Sequence, residues 1–280
     1  MLVNRKRKVL LLLLSIALVI TWLVSEATSQ DWFLQEVYTN IYGVIALIGG
    51  VMGLGVARQW GGFKSYLGKA LSFLSVGLLL TVLGQLINAY YILIVKVEEL
   101  PYPSFAEVGF FGAVIFYVLG AFYLSKTIRL IPSIKEMSAG KKILLSMVPV
   151  LMLAITFLVY FRNYDSEGST VAQVILDFAY PIGQSIFATV ALAVLFRSKD
   201  LYGGKMRGAV ILLLLSFMLQ YVADTNFVYQ DLAGNWVNGG YGDLLYLLAY
   251  SATALGVQSF GFPKPVQVTP AAEPRAEAGK

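Results

Sequence analysis

The sequence predicts an all-α integral membrane protein, with eight transmembrane helices arranged as two parallel four-helix repeats. Three observations carry that expectation. Hydrophobic residues make up 58% of the 280-residue chain and charged residues only 13%, whereas a soluble domain carries about 25% charge. Eight apolar stretches approach the roughly 20 residues that a hydrocarbon core demands. The basic residues between these stretches fall almost wholly on one side.

Each stretch must be helical, because lipid offers no partner to a bare backbone N–H or C=O. The first, Val9–Val24, follows the charged run Asn4-Arg5-Lys6-Arg7-Lys8 and precedes Ser25-Glu26-Ala27, a passable cleavage site. Its apolar run is long for a signal peptide, so an uncleaved span is expected. The second, Ile41–Ala57, holds Gly49-Gly50-x-x-Gly53-x-Gly55; small residues at this spacing let membrane helices approach closely, and no phosphate loop is implied. The third, Leu71–Val95, contains Gln85 and Asn88, three residues apart. The fourth, Phe105–Leu124, opens on Pro101-Tyr102-Pro103-Ser104-Phe105-Ala106-Glu107, where Ser104 and Glu107 read as a capping box. The fifth is Ile143–Phe161. The sixth, Val171–Phe196, carries Asp177, Tyr180, Pro181 and Gln184 along one helical stripe. The seventh, Gly208–Tyr229, carries Gln220, Asp224 and Asn226, and the eighth, Gly242–Phe262, follows Gly239-Gly240-Tyr241 and begins with Asp243 close at hand. Glu107 and Asp243 near helix starts also suit the helix dipole.

An offset of 136 residues aligns the two halves. Tyr66, Gly68 and Lys69 meet Tyr202, Gly204 and Lys205; Asn88 meets Asp224, Glu107 meets Asp243, and Leu119-Gly120 meets Leu255-Gly256. Four crossings return a chain to its starting side, so the second copy keeps the first one's orientation. Residues 1–126 are then the first repeat, 127–142 a cytoplasmic linker, 143–262 the second repeat, and 263–280 a disordered cytoplasmic tail.

Nineteen of the 21 Lys and Arg residues lie on one side of these spans; only Lys96 and Arg162 lie on the other. By the positive-inside rule both termini are cytoplasmic, in a cytoplasmic (inner) membrane. Twelve of the 16 acids lie on the outer side or in the outer half of a span. The basic pI of about 9.2 therefore reflects topology and anionic lipid, and no nucleic acid is expected as a partner.

The chain has no Cys and no His. Thiol and imidazole chemistry, His- or Cys-ligated haem and His/Cys zinc or copper sites are excluded. No Walker A motif, G-x-S-x-G elbow or H-E-x-x-H is present. Neither a cofactor nor an enzymatic activity is expected.

Polar groups inside spans are expensive and need a reason. Asp177, Tyr180, Gln184, Gln220, Asp224 and Asn226, with Gln85 and Asn88 from the first half, are the candidate ligand-binding residues. Ser104, Glu107 and Asp243 are helix caps that double as possible site residues. One reading is a polar cavity opening outward, lined by Asp177, Gln184, Gln220, Asp224 and Asn88; the other is interhelical hydrogen bonding that holds the bundle together. Tyr90, Tyr91, Phe227, Tyr229, Trp236 and Tyr241 are expected around the same mouth, and an aromatic rim on acids suits a cation or an apolar-faced ligand.

The PYPSFAE stretch resembles the P-S-x-A-[DE] element of bacterial multi-pass sensory modules that precede diguanylate cyclase or histidine kinase domains. Gln220–Tyr250 resembles the D-x-x-[FY]…[GD]-D-x-[LY]-Y-x-x-[AG]-Y segment that closes such modules, and is also similar to uncharacterised multi-pass proteins of small-genome bacteria. The resemblance implies a membrane-embedded sensory or ligand-binding role, with Glu107, Asp224 and Asp243 on the motif positions. No output domain follows the last span, so signalling is expected to run through a membrane or cytoplasmic partner protein, the ligand being a small molecule or cation. The alternatives are an accessory or scaffolding subunit of a membrane complex and a small cation or amine transporter.

Overall fold

Apolar segments that must satisfy their own backbone become helices, and the computed structural model is built from them. It describes residues 2–97, 101–127, 134–159, 170–197 and 206–261; the readings placed on Arg162, Lys205 and the tail lie outside these. Eight long helices are described: α1 (Leu2–Ala27), α2 (Val44–Gln59), α3 (Tyr66–Tyr90), α4 (Glu107–Thr127), α5 (Ala139–Val159), α6 (Val171–Arg197), α7 (Arg207–Leu232) and α8 (Tyr241–Ser259). No strand occurs among the described residues.

The second and third spans run further than the apolar stretches imply. A π-helical turn at Phe33–Tyr38 and a short turn at Thr39–Ile41 lead into α2, so this crossing occupies Phe33–Gln59. Ser65 starts α3 five residues ahead of the expected Leu71 turn, because its Oγ accepts the Gly68 N–H at 2.9 Å and satisfies a donor that a helix start leaves bare.

Seven of these helices are long and apolar enough to cross a membrane; α8 is the one that falls short. Its position explains the difference. It packs against α7, α2, α1 and α3, and Asp243, Ser251, Thr253 and Gln258 along it are all buried. A helix enclosed by protein meets little lipid and tolerates polar side chains. At the other extreme, only 11% of the apolar stretch of α5 and 28% of that of α1 are buried.

The side-by-side order is a closed circuit. α2 packs on α3, α3 on α4, α4 on α6, α6 on α7, α7 on α8, and α8 back on α2. α1 lies outside it against α8 and α2, and α5 outside it against α6. Glycine permits the closest approaches. A Cβ on Gly109 would fall 2.2 Å from the Gly84 nitrogen, so α3 and α4 touch backbone to backbone there. The α2 glycines act likewise: a Cβ on Gly49 would lie 2.3 Å from the Ala254 Cβ, and one on Gly53 would lie 2.3 Å from the Ser75 Oγ.

The two ends of the bundle differ chemically. At one end the α2–α3 turn is tied to the end of α8 by Trp60 Nε1–H donating to the Phe260 carbonyl (2.8 Å). This end carries the basic residues: Lys126 lies 4.4 Å over the Phe122 ring, Lys69 lies 5.2 Å over Tyr123, and Arg197 pairs with Glu136 at 3.8 Å. At the other end Trp22 Nε1–H donates to the Gly239 carbonyl (2.8 Å), clamping α1 to the loop that starts α8. The starts of α4, α6 and α8 are at this acidic end.

Candidate functional site

The α6 stripe organises the polar groups. Asp177, Tyr180 and Gln184 stand at helical positions i, i+3 and i+7 and share one face. Pro181 sits among them and returns no N–H to the Asp177 carbonyl. Each rung meets a different neighbour. Asp177 accepts the Tyr102 hydroxyl at 2.8 Å, Tyr180 donates its hydroxyl to the Glu107 carboxylate at the head of α4, and Gln184 donates its amide to Asp224 on α7. Successive rungs are about 5 Å apart along the helix, so three carboxylates descend from the acidic end into the bundle.

Asp224 is the junction. Besides Gln184 it accepts Gln220 Nε2–H, one turn earlier on its own helix, at 3.1 and 3.2 Å. Tyr246 of α8 donates its hydroxyl to it at 2.7 Å. One carboxylate thus joins α6, α7 and α8 through two amides and a phenol. Gln184 is 2% exposed, whereas Asp224 keeps part of its surface accessible.

The fourth carboxylate, Asp243, closes the start of α8. It accepts the Gly239 N–H at 2.7 Å and the Thr39 hydroxyl at 2.8 Å. The first of these bonds reaches back to a helix-start amide as a cap does; the second ties α8 to the segment ahead of α2. Gly239 has φ +75°, a conformation open to glycine, and a Cβ there would lie 2.2 Å from the Leu34 carbonyl oxygen.

A stack of four tyrosines runs between Asp243 and Asp224. Tyr38, Tyr42, Tyr250 and Tyr246 follow one another with ring centroids 5.9, 6.1 and 6.0 Å apart. The stack starts beside Asp243 and ends on the hydrogen bond to Asp224.

Several sequence readings are corrected by this geometry. Glu107 does not return to the Ser104 amide as a capping box requires; its carboxylate crosses to Tyr180, while Ser104 Oγ accepts the Ala106 N–H at 3.1 Å. Asn226 donates to Gln230 on its own helix at 3.0 Å and stays out of the Asp224 junction. Gln85 packs against Gly43 and lies beside Tyr42. Asn88 is half-buried on α3 and shares no hydrogen bond with the junction. Asp177 pairs with Tyr102, so it and Asp224 belong to separate rungs and do not face each other across one space. Of the expected aromatic rim, Tyr90, Tyr229 and Tyr241 are exposed on the outside of the bundle, and Phe227 packs on Trp236 with centroids 4.9 Å apart.

The residues that sequence reasoning missed are mostly tyrosines: Tyr246, Tyr250, Tyr42 and Tyr38, with Thr39. A signal for two of them is present. Asp243, Tyr246 and Tyr250 repeat the i, i+3, i+7 spacing of Asp177, Tyr180 and Gln184, which marks a polar stripe on α8 as it does on α6. Compared with known protein families, characterised proteins and solved structures, the chain matches none.

Proposed function

We propose that this chain is a membrane-embedded sensory or ligand-binding module, acting through a partner protein. The observation that carries this reading is the bonding of the three motif carboxylates. Glu107 joins α4 to α6, Asp224 joins α6 to α7 and α8, and Asp243 joins α8 to the start of α2. A carboxylate that loses or gains charge changes its hydrogen-bonding capacity, so ligand binding at these junctions alters how helices of both halves are held. The test places paired spin labels at the basic end, on Lys64 and Lys141, and applies acid or candidate cations to the acidic end. A distance change that is abolished by Asp224→Asn supports the reading; no change under any condition overturns it.

The reading includes eight crossings, both termini cytoplasmic, and two parallel repeats. Contacts of related kind support the repeat. Glu107 at the head of α4 reaches α6, and Asp243 at the head of α8 reaches the start of α2, so each half's last helix bonds to the other half. Gly120 and Gly256, matched by the 136-residue offset, sit against Leu74 of α3 and Leu213 of α7. Single cysteines at Asp31 and Lys96 should react with an impermeant maleimide from outside, and at Lys64 and Lys135 only after permeabilisation. The reverse pattern at any two sites would overturn the topology.

One observation favours the accessory-subunit reading as second choice. α5 keeps most of its apolar surface outside the bundle, which suits a partner helix as well as lipid. Recovery of the chain only in a stable complex of fixed composition would put this reading first.

A further inference from the structure

We propose that the basic end of the α3–α4 pair binds an anionic phospholipid, its phosphate held between Lys69 and Lys126 and an acyl chain laid along the aromatic column beneath them. The site is at the opposite end of the bundle from the carboxylate junctions and is independent of the sensory reading. Lys69 of α3 and Lys126 of α4 both lie by the Tyr123 ring, 5.2 and 5.7 Å from its centroid. Lys126 also lies 5.8 Å from the Tyr66 ring, so two helices bring two ammoniums to one place. Rings attract a cation but do not neutralise it. Among the described residues neither lysine has a carboxylate within ion-pair distance; the ion pair at this end is Arg197 with Glu136. The helix does not call for Lys69 either. No acid stands in the first turn of α3, and a cation so near a helix start opposes the dipole. Two like charges share one ring, and an anion between them relieves their repulsion.

Beneath the lysines the surface turns aromatic. Tyr66, Tyr123, Phe73 and Phe116 follow one another with ring centroids 6.4, 5.4 and 5.6 Å apart. Tyr66, Lys69 and Phe73 stand at i, i+3 and i+7 on α3, and Phe116, Tyr123 and Lys126 at i, i+7 and i+10 on α4, so each set shares one helix face. At 1.5 Å per residue, Phe73 lies about 6 Å deeper than Lys69, and Phe116 about 15 Å deeper than Lys126. The column is open to its surroundings: Tyr66 is 52% exposed, and Phe73, Phe116 and Tyr123 are each half-buried. Cations at the membrane surface above an apolar track match a phospholipid. A free anion of the same chemistry would gain nothing from the lower rings. Charge then selects among lipids. The phosphodiester of phosphatidylglycerol accepts N–H donors from both ammoniums and carries one uncompensated negative charge. The phosphatidylcholine headgroup brings its own quaternary ammonium, which two lysines repel.

Native mass spectrometry of the full chain, released from detergent micelles into which lipid is titrated, tests this. Phosphatidylglycerol is expected to bind about tenfold more tightly than phosphatidylcholine. Lys126→Gln should weaken phosphatidylglycerol about fivefold, the weight of one lysine on anionic lipid, and the Lys69→Gln, Lys126→Gln pair about twentyfold. Neither should move phosphatidylcholine. The Lys69→Arg, Lys126→Arg pair keeps both charges and should keep most of the affinity. The Lys141→Gln, Lys142→Gln pair, which removes two exposed lysines from the start of α5, should change nothing. Equal binding of the two lipids overturns the site. So do equal losses from the two glutamine pairs, which would mean general surface charge. Millimolar glycerol 1-phosphate should not displace the lipid; displacement means a free-anion site and overturns the lipid assignment. Should the Lys69→Gln, Lys126→Gln pair not fold, Lys126→Gln at its exposed position decides alone, and no loss there overturns the proposal.

Discussion

The starts of α4 and α8 carry acids at matching places, yet Glu107 and Asp243 do different work. Asp243 turns back to the Gly239 N–H of its own loop and takes Thr39 as a second donor. Glu107 leaves its loop and takes the Tyr180 hydroxyl across a helix interface. The loops decide which. Gly239, at φ +75°, brings its N–H under Asp243, whereas the Tyr102-Pro103-Ser104 approach uses Ser104 Oγ to hold the Ala106 N–H and leaves Glu107 free to reach sideways. A local rule suffices where the backbone turns an amide toward the acid; elsewhere the neighbour wins.

The largest test of this contrast is at the loops themselves. Gly239→Ala places a Cβ against the Leu34 carbonyl oxygen in a conformation that disfavours side chains, and should lower stability by about 3 kcal/mol. Ser104→Ala, its counterpart ahead of α4, should cost about 1 kcal/mol. Thermal unfolding of both variants in one detergent gives the ranking, and equal losses would erase the distinction between the two starts.

Removing the acids comes next. Asp243→Ala orphans a buried amide and a hydroxyl and should cost about 2–3 kcal/mol, against about 1–2 kcal/mol for Glu107→Ala, which orphans one phenol. A larger loss at Glu107 would mean that the cross-helix bond outweighs the cap. A sharper version concerns Asp224, where Asp224→Leu orphans three side chains and should cost about 3 kcal/mol or more. Asp224→Asn keeps an acceptor oxygen and should cost about 1 kcal/mol while abolishing the acid response. The smallest effect is expected from Thr39→Val, about 0.5 kcal/mol. Its coupling to Asp243→Ala in a double-mutant cycle should be positive, and its coupling to Glu107→Ala close to zero.

These outcomes bear on how far sequence reasoning reaches. The helices were readable from their apolar runs, and the start of α8 from Gly239-Gly240; the start of α3 was not, since Ser65 caps it ahead of the expected Leu71. The α6 stripe was readable too, because Asp177, Tyr180 and Gln184 repeat at helical spacing. Which groups each rung meets was not. The Asp177 and Asp224 carboxylates, grouped together by depth, go to Tyr102 and Gln184 on different interfaces. Asn88 aligns with Asp224 by offset yet takes no part in its bonding, since depth in the membrane says nothing about which side of a helix faces inward.

The sequence by itself determined that the chain is helical, that it belongs in lipid, and that its acids and bases separate to opposite ends. The hydrophobic effect and the cost of a bare backbone in hydrocarbon act on composition and run length, which are visible in one dimension. The order of helices around the bundle came only from tertiary structure. Apolar faces are nearly equivalent to one another in lipid, so packing shape and hydrogen bonds choose the neighbours. That choice enclosed α8, the least apolar helix, between α1, α2, α3 and α7. It also put Tyr246 on Asp224 and Thr39 on Asp243.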